Sequence, residues 1–345
     1  MFERAPRSTI LVHTTTQYVR VAVLERSTPE TATISDAAEF AIDDEESLKQ
    51  WVEEHANDGP GWVAGYCGFQ PSGSMLIRED LVVREPPPKL DAIAPLVDRR
   101  ARSHPEEGWS IGIVDAVTGK SLAQAAGPCT ALIVAMPRNE VRLHQEKLLE
   151  AGVRPRRLEY TPLSTLGAIK SHFSSELSDA AMAVCEFSAT ETTLYFIDRK
   201  GIHPQDPVPF GLGNLEESAQ KELKLESMEE VREKMDNPDE DLNRRAPRLL
   251  RVFASHLRLT LDYYEHQTGR VVGSMFPLSL PSNRRWLAPA MAQAVDLVVP
   301  HLDLLDWASQ RGLDFDELPA EGEGWLPTLA LAANLNSEPA NGPAS

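Results

Sequence analysis

The sequence predicts a mixed α/β chain folded as two lobes. Its 345 residues exceed what one hydrophobic core usually organises. Apolar residues make up 42%, enough to fill real cores and unlike a disordered composition. Two distant segments, Thr9–Glu25 and Ala180–Ile202, share one plan: apolar strand, small polar tip, β-branched strand. Two such hairpins hint at a duplicated architecture, although unrelated hairpins are common.

In the first hairpin Ile10–Val12 is apolar, His13–Gln17 polar and threonine-rich, and Tyr18–Leu24 alternating. Asp43–His55 reads as an amphipathic helix with Leu48, Trp51 and Val52 inward. Trp62–Phe69 and Met75–Val83 read as strands joined through a Pro71–Gly73 turn. The breaker Glu85–Pro88 marks a plausible subdomain boundary, and Lys89–Ala101 is the next helix. Strand-like stretches follow at Trp109–Val114, Lys120–Ala125 and Ala131–Ala135. Pro137 opens a helix over Asn139–Leu149, with Val141, Leu148 and Leu149 as its apolar residues and Gly152 closing it. Arg157–Tyr160 is extended and Pro162–Phe173 helical.

In the second hairpin Met182–Cys185 and Thr192–Ile197 are strands, and Asp198–Gly201 is a turn. The tip residues Ser188, Ala189 and Thr190 let a backbone come close to a ligand, often a phosphate held by successive N–H groups. A plain Ser/Thr turn on a core hairpin is the alternative. Pro207–Leu215 reads as a strand ending in a glycine-rich turn, followed by helices from Leu215 and Ser227 and a charged loop, Met235–Asn243. Arg244–Gln267 reads as one long helix whose stripe of Leu250, Phe253, Leu257, Leu261 and Tyr264 is core, with Gly269 at its end. Val271–Phe276 is a strand; Asn283–Val295, Leu302–Gln310 and Trp325–Asn334 are helical, and Ser337–Ser345 a disordered tail.

The formal net charge of -18 disfavours nucleic acid and anionic lipid as partners. Cys67, Cys129 and Cys185 form no pair motif and read as buried, reduced thiols of a cytoplasmic protein. MFERAPRS has no apolar core, so no secretory signal is expected, and no 18-residue apolar run spans a membrane. The nine histidines form no metal-ligand spacing, and no nucleophile elbow or P-loop is present. Gly211-Leu212-Gly213 suggests a phosphate turn but lacks the rest of a dinucleotide fingerprint. Asp262 is expected to cap or pair with an arginine inside the second lobe.

Four segments together resemble the type IV pilus assembly PilM family. They are LRLTLDYYEHQTG (Leu257–Gly269), PVPFGLGNLEESAQKELKLESMEEVREKM (Pro207–Met235), TALIVAMPRNEVRLHQEKLLEAGVRPRRLEYTPLSTLGAI (Thr130–Ile169) and the closing helix Trp325–Leu335. The match runs in order over nearly the whole chain. It implies an actin-like (ribonuclease H-like) α/β fold, related to FtsA and to the cytoplasmic part of the secretion protein GspL. The expected division is lobe I over 1–176 with an inserted subdomain at about 86–160, lobe II over 177–335, and a tail from 336. A GspL continues into a transmembrane helix and periplasmic domain, for which this sequence has no counterpart.

The resemblance also implies two phosphate hairpins, each with a magnesium-holding Asp and a Gly, plus a Gly-Gly adenosine loop. In the first hairpin those positions are His13 and Thr15; in the second they are Glu186 and Ser188, with Glu191 adding charge. The adenosine loop position reads FPLSLPSNRR, with no glycine pair. The expectation is therefore a pseudo-ATPase with no catalytic residue, no metal site and no cofactor. It would be a cytoplasmic scaffold, peripheral to the inner membrane through a partner, gripping the N-terminal segment of a PilN-like membrane protein in a first-lobe groove. The alternative is an ATP- and Mg²⁺-binding protein whose nucleotide state switches partners or filaments, with Thr15, Thr16, Glu186, Ser188 and Thr190 at the nucleotide.

Overall fold

The computed structural model describes residues 8–26, 28, 31–55, 62–84, 86–101, 104–122, 126–315 and 323–337. The expected tail from 338 onward, the first seven residues, and residues 123–125 of the expected strand lie outside them. The chain divides into two compact units. The first holds residues 1–115, 119–169 and 303–345; the second holds 116–118 and 170–302.

The first unit begins with an antiparallel meander of β1 (Ser8–Thr14), β2 (Tyr18–Arg26) and β3 (Ala32–Ala41), the last unmarked by any clear alternation in the sequence. Ile10, Leu11 and Val12 are all buried, as expected of a central strand covered on both faces. Helix α1 (Glu45–Glu54) starts where the Asp44 carboxylate accepts the Ser47 N–H at 3.2 Å, and buries Leu48, Trp51 and Val52. β4 (Val63–Phe69) then pairs parallel with β1.

A separate antiparallel sheet interrupts this unit: β5 (Met75–Val83), β6 (Trp109–Asp115) and β7 (Gly127–Pro137) in the order β5-β7-β6. Helix α2 (Leu90–Arg100) closes its core with Ile93 and Val97. The inserted sheet thus spans Met75 to Pro137 rather than 86–160. The Pro-rich breaker lies inside it, between β5 and α2. Of the strand expected at Lys120–Ala125, Ser121 makes one bridge to Val114. Helix α3 (Arg138–Glu150) ends before Gly152, whose φ of +84° is left-handed. On it His144 is buried and Leu149 exposed, the reverse of the expected inward leucine. β8 (Val153–Tyr160) pairs parallel with β4 in the main sheet, so residues 153–160 are not part of the insertion.

The first unit also takes back the chain's end. Helix α4 (Thr161–His172) leads out, and the second unit follows. Helix α10 (Leu304–Ser309) and β13 (Leu313–Phe315) then return, β13 pairing parallel with β3. Helix α11 (Leu326–Ser337) lies on the sheet over β1 and β4: a Cβ on Gly68 would sit 2.7 Å from Leu331. Arg20 donates to the Gly324 carbonyl and Arg26 to that of Leu335, pinning the helix at both ends. Residues 303–335 therefore belong with the first lobe, not the second as chain order suggested. Ser337, placed in the tail by sequence, is helical.

The second unit repeats the plan. β9 (Ala181–Phe187), β10 (Thr192–Asp198) and β11 (Gly201–Pro204) form an antiparallel meander, and β12 (Val272–Leu278) pairs parallel with β9. The order β11-β10-β9-β12 is that of β3-β2-β1-β4, which the first unit extends with β8. This duplicated topology is the actin-like, ribonuclease H-like fold. Helices α5 (Leu212–Leu223), α6 (Met228–Asp236), α7 (Glu240–Leu249), α8 (Arg251–Thr268) and α9 (Leu287–Gln293) complete the unit. The long helix expected over Arg244–Gln267 is instead two helices that meet at Leu250. The charged loop shrinks because Asp239 caps α7, accepting the Leu242 N–H at 2.8 Å. Pro207–Leu215 is not a strand; Val208 makes a single bridge to Thr192. Of the three cysteines, all free, Cys67 and Cys185 are buried, whereas Cys129 is only partly so. Burial pushes the Cys67 thiol up to about 12.

Asp262 is exposed on α8 and does not play the expected buried role. Asp198 does. Its fully buried carboxylate accepts the Tyr264 hydroxyl at 3.1 Å and the Lys200 N–H at 2.7 Å, lies 3.0 Å from His203 Nε2, and has Arg270 at 3.5 Å. Burial raises its pKa, but the hydrogen bonds from His203, the Lys200 backbone and Tyr264 outweigh that and hold it below the usual carboxylate value. Asp198→Ala leaves these donors and Arg270 facing nothing, and should cost about 3 kcal/mol in urea unfolding at pH 7. Because the folded pKa is depressed, that stabilisation is complete above about pH 4 and fades below it. The gap between wild type and Asp198→Asn should narrow as the acid limb is entered.

Candidate functional site in the two hairpin tips

The sequence-predicted site residues fall into two groups, one per unit. Thr15 and Thr16 form the β1–β2 tip; Glu186, Ser188 and Thr190 lie at or beside the β9–β10 tip. At the first tip Thr15 N–H and Oγ1–H both donate to the Tyr18 carbonyl, at 2.9 and 3.1 Å. The same Oγ1 accepts the N–H groups of Gln17 and Tyr18, at 3.2 and 3.1 Å. At the second tip Ser188 N–H and Oγ–H donate to the Glu191 carbonyl, both at 2.9 Å. Its Oγ accepts the N–H groups of Thr190 and Glu191, at 3.3 and 3.1 Å.

The two tips are thus the same Ser/Thr turn, residue for residue. The hydroxyl stands where the family resemblance expects glycine, and it takes up the amide hydrogens that a phosphate would need. Of the two alternatives for the second tip, the structure has the Ser/Thr turn. Thr16 and Thr190 are exposed at the tips.

The positions where the resemblance expects carboxylates are different as well. His13 is buried, 4% exposed, and its Nδ1 has no hydrogen-bond partner. Burial, and secondarily Arg20, lowers its pKa to about 3, so the imidazole is neutral. Glu186 is half-buried and accepts the Tyr195 hydroxyl at 3.3 Å.

The glycine-rich turn before α5 is also spoken for. The Leu212 N–H donates to the Ser188 carbonyl and the Gly213 N–H to the Ala189 carbonyl, both at 2.9 Å. The Gly211 N–H donates to Asn214 Oδ1 at 2.9 Å. A helix N-terminus otherwise suited to an anion is occupied by the hairpin's own carbonyls. Thr192 fastens the same loop, its hydroxyl donating to the Phe210 carbonyl at 2.6 Å. Sequence reasoning missed Gly211 and Thr192; the Gly-Leu-Gly triplet was the available signal, read toward a phosphate instead of toward close backbone contact.

A magnesium nucleotide is the group the fold family implies, and these donors do not suit it. The first tip offers a buried neutral nitrogen in place of a hard oxygen ligand, and both tips have their amides capped. Among the described residues, no cluster of His, Cys, Asp and Glu has the makings of a metal site.

Comparison with known proteins gives no matching family model and no matching curated protein. A chain of a solved PilM–PilN type IV pilus biogenesis complex superposes with a TM-score of 0.66, covering 97% of this chain and 100% of that chain at 16% identity. The cytoplasmic domain of EpsL, an inner membrane component of the Vibrio cholerae type II secretion system, gives 0.40, with 96% of both chains covered at 10% identity. A Bacteroides thetaiotaomicron protein of actin-like ATPase fold and unknown function gives 0.44, covering 85% of this chain and 90% of that one at 9% identity. The first likeness shows a shared fold; the other two superpositions are too loose to carry an argument.

The docking of α5 on the second tip leaves no room at Gly211. A Cβ there would lie 2.6 Å from backbone atoms of Ala189, Thr190 and Glu191. Gly211→Ala should therefore destabilise the protein by about 2 kcal/mol, read as a lowered melting temperature, whereas Gly167→Ala, with open space around its Cβ, should not.

Proposed function

We propose that this chain is a nucleotide-independent, actin-like scaffold of a type IV pilus or type II secretion assembly. It sits in the cytoplasm against the inner membrane and holds the short cytoplasmic segment of a PilN-like membrane protein. The observation that carries this reading is the end-to-end match of its fold to a chain solved in a PilM–PilN complex. Attachment through a partner agrees with the absence, among the described residues, of any helix long and apolar enough to cross a membrane.

The self-capped tips support the nucleotide-independent part. A net hydrogen bond is worth about 1 kcal/mol, and each hydroxyl holds two N–H groups. Displacing both hydroxyls would cost about 4 kcal/mol, roughly a thousandfold in affinity. The scaffold reading needs only backbone and apolar recognition. An extended segment adds to a sheet edge and seats alternate side chains in pockets, and among the described residues β5 and β8 are outer strands of the first unit's sheets.

Fluorescence anisotropy with a labelled N-terminal peptide of the PilN-like protein tests the reading. Saturable binding at micromolar protein, unchanged by added Mg-ATP, is expected. No binding at high micromolar protein contradicts the scaffold, and binding that appears only with Mg-ATP favours the nucleotide-switched alternative.

A further inference from the structure

We propose that the solvent-facing side of α8 in the second unit docks a second copy of this chain. The two α8 helices lie antiparallel across a two-fold axis, with Arg251 of each copy against Asp262 of the other.

The outward side of a surface helix is normally polar. On α8 it carries Val252, Leu259 and Tyr263, which are 47%, 68% and 58% exposed. Single exposed apolar residues are ordinary on a protein surface. Here three lie in one row. At about 100° per residue they fall within about 40° of one another and span about 16 Å of the helix. Among the described residues no other helix exposes three large apolar side chains. The inward side of α8 is already engaged, because Phe253, Leu257, Leu261 and Tyr264 belong to the unit's own core.

The charges beside the row select what covers it. Arg251 and Asp262 are both exposed, and neither has an ion pair among the described residues. They lie on one flank of the row, about 60° to 80° round from Leu259, and about 16 Å apart along the helix, too far to pair within it. A two-fold axis at the midpoint of the row reverses the second helix and keeps each flank on its own side. It sets Val252 across from Tyr263, and brings Arg251 within about 3 Å, along the helix, of the level of Asp262 in the other copy. The symmetry makes each of these contacts twice. A parallel pairing would instead set Arg251 beside Arg251 and Asp262 beside Asp262, which is repulsive. Arg258, near the axis on the same flank, is held by its own unit: it donates to the Ala294 carbonyl at 2.5 Å and faces Asp296 at 3.9 Å. The row is therefore complementary to itself, in apolar contact and in sign, in the antiparallel sense alone. One helix pair buries less than a standard interface, and a net charge of -18 on each copy opposes the approach. The dimer is a weak one, and it tightens between low and moderate salt.

Sedimentation equilibrium of the full chain, over about 5 to 300 µM protein in about 150 mM salt, tests the contact. The wild type should pass from monomer toward dimer across that range. Leu259→Gln/Tyr263→Gln, at two exposed positions, should leave the melting temperature unchanged and weaken self-association by about tenfold or more. Arg251→Glu and Asp262→Arg should each weaken it by about fivefold. Arg251→Glu/Asp262→Arg together restore opposite charges across the axis and should return it to within about twofold of the wild type. Val82→Gln, at an exposed apolar residue of β5 in the first unit, should leave it unchanged. A wild type still monomeric at the highest concentration overturns the proposal. So does a dimer indifferent to the row variant, a charge swap that fails to rescue, or an equal loss in the Val82 control.

Discussion

A side-chain hydroxyl folded back on its own turn governs what each hairpin in this protein can hold. Thr15 and Ser188 each accept two backbone N–H groups and donate to the carbonyl three residues on. Glycine at these positions would leave the amides for an anion; the hydroxyl satisfies them internally. The surroundings follow the same rule. The first turn of α5 gives its amides to the second tip's carbonyls, and His13, where the resemblance expects a carboxylate, is a buried neutral ring. The amides at both tips are thus satisfied by the protein's own oxygens.

The rest of the architecture depends on these hairpins being the central strands of their sheets. β1 and β9 are each paired on both sides and buried over Ile10–His13 and Ala181–Cys185, and their partners repeat the same order in both units. Among the described residues outer strands remain in both units, β5, β6, β8 and β13 in the first and β11 and β12 in the second. The nearly all-round apolar α11, pinned by Arg20 and Arg26, covers part of the first unit's sheet.

Much of the fold was legible where local pattern and tertiary role agree. The two hairpins, α1 and the core stripe of α8 read directly from apolar spacing and turn residues. Legibility failed where chain order and spatial order part company. Residues 303–335 return to the first sheet through pairings that no local signal encodes. Pro86–Pro88 resembles a boundary yet joins two elements of one subdomain, and β8, with Arg154, Pro155, Arg156 and Arg157, lacks a strand's usual composition. At the tips, residue types were read as departures from the nucleotide pattern that the resemblance implies. Their positive role, capping the turn, needed distances. The buried carboxylate was placed on α8 at Asp262 rather than at Asp198, because a charge on an apolar helix stands out and an aspartate in a turn does not.

Calorimetric titration of Mg-ATP into the purified protein bears most directly on the claim that the tips are closed. No heat and no shift in melting temperature up to about 1 mM nucleotide is the predicted result, consistent with a roughly thousandfold penalty on a micromolar site. Binding at micromolar affinity would contradict it, and would mean that the Thr15 and Ser188 hydroxyls yield to phosphate at little cost.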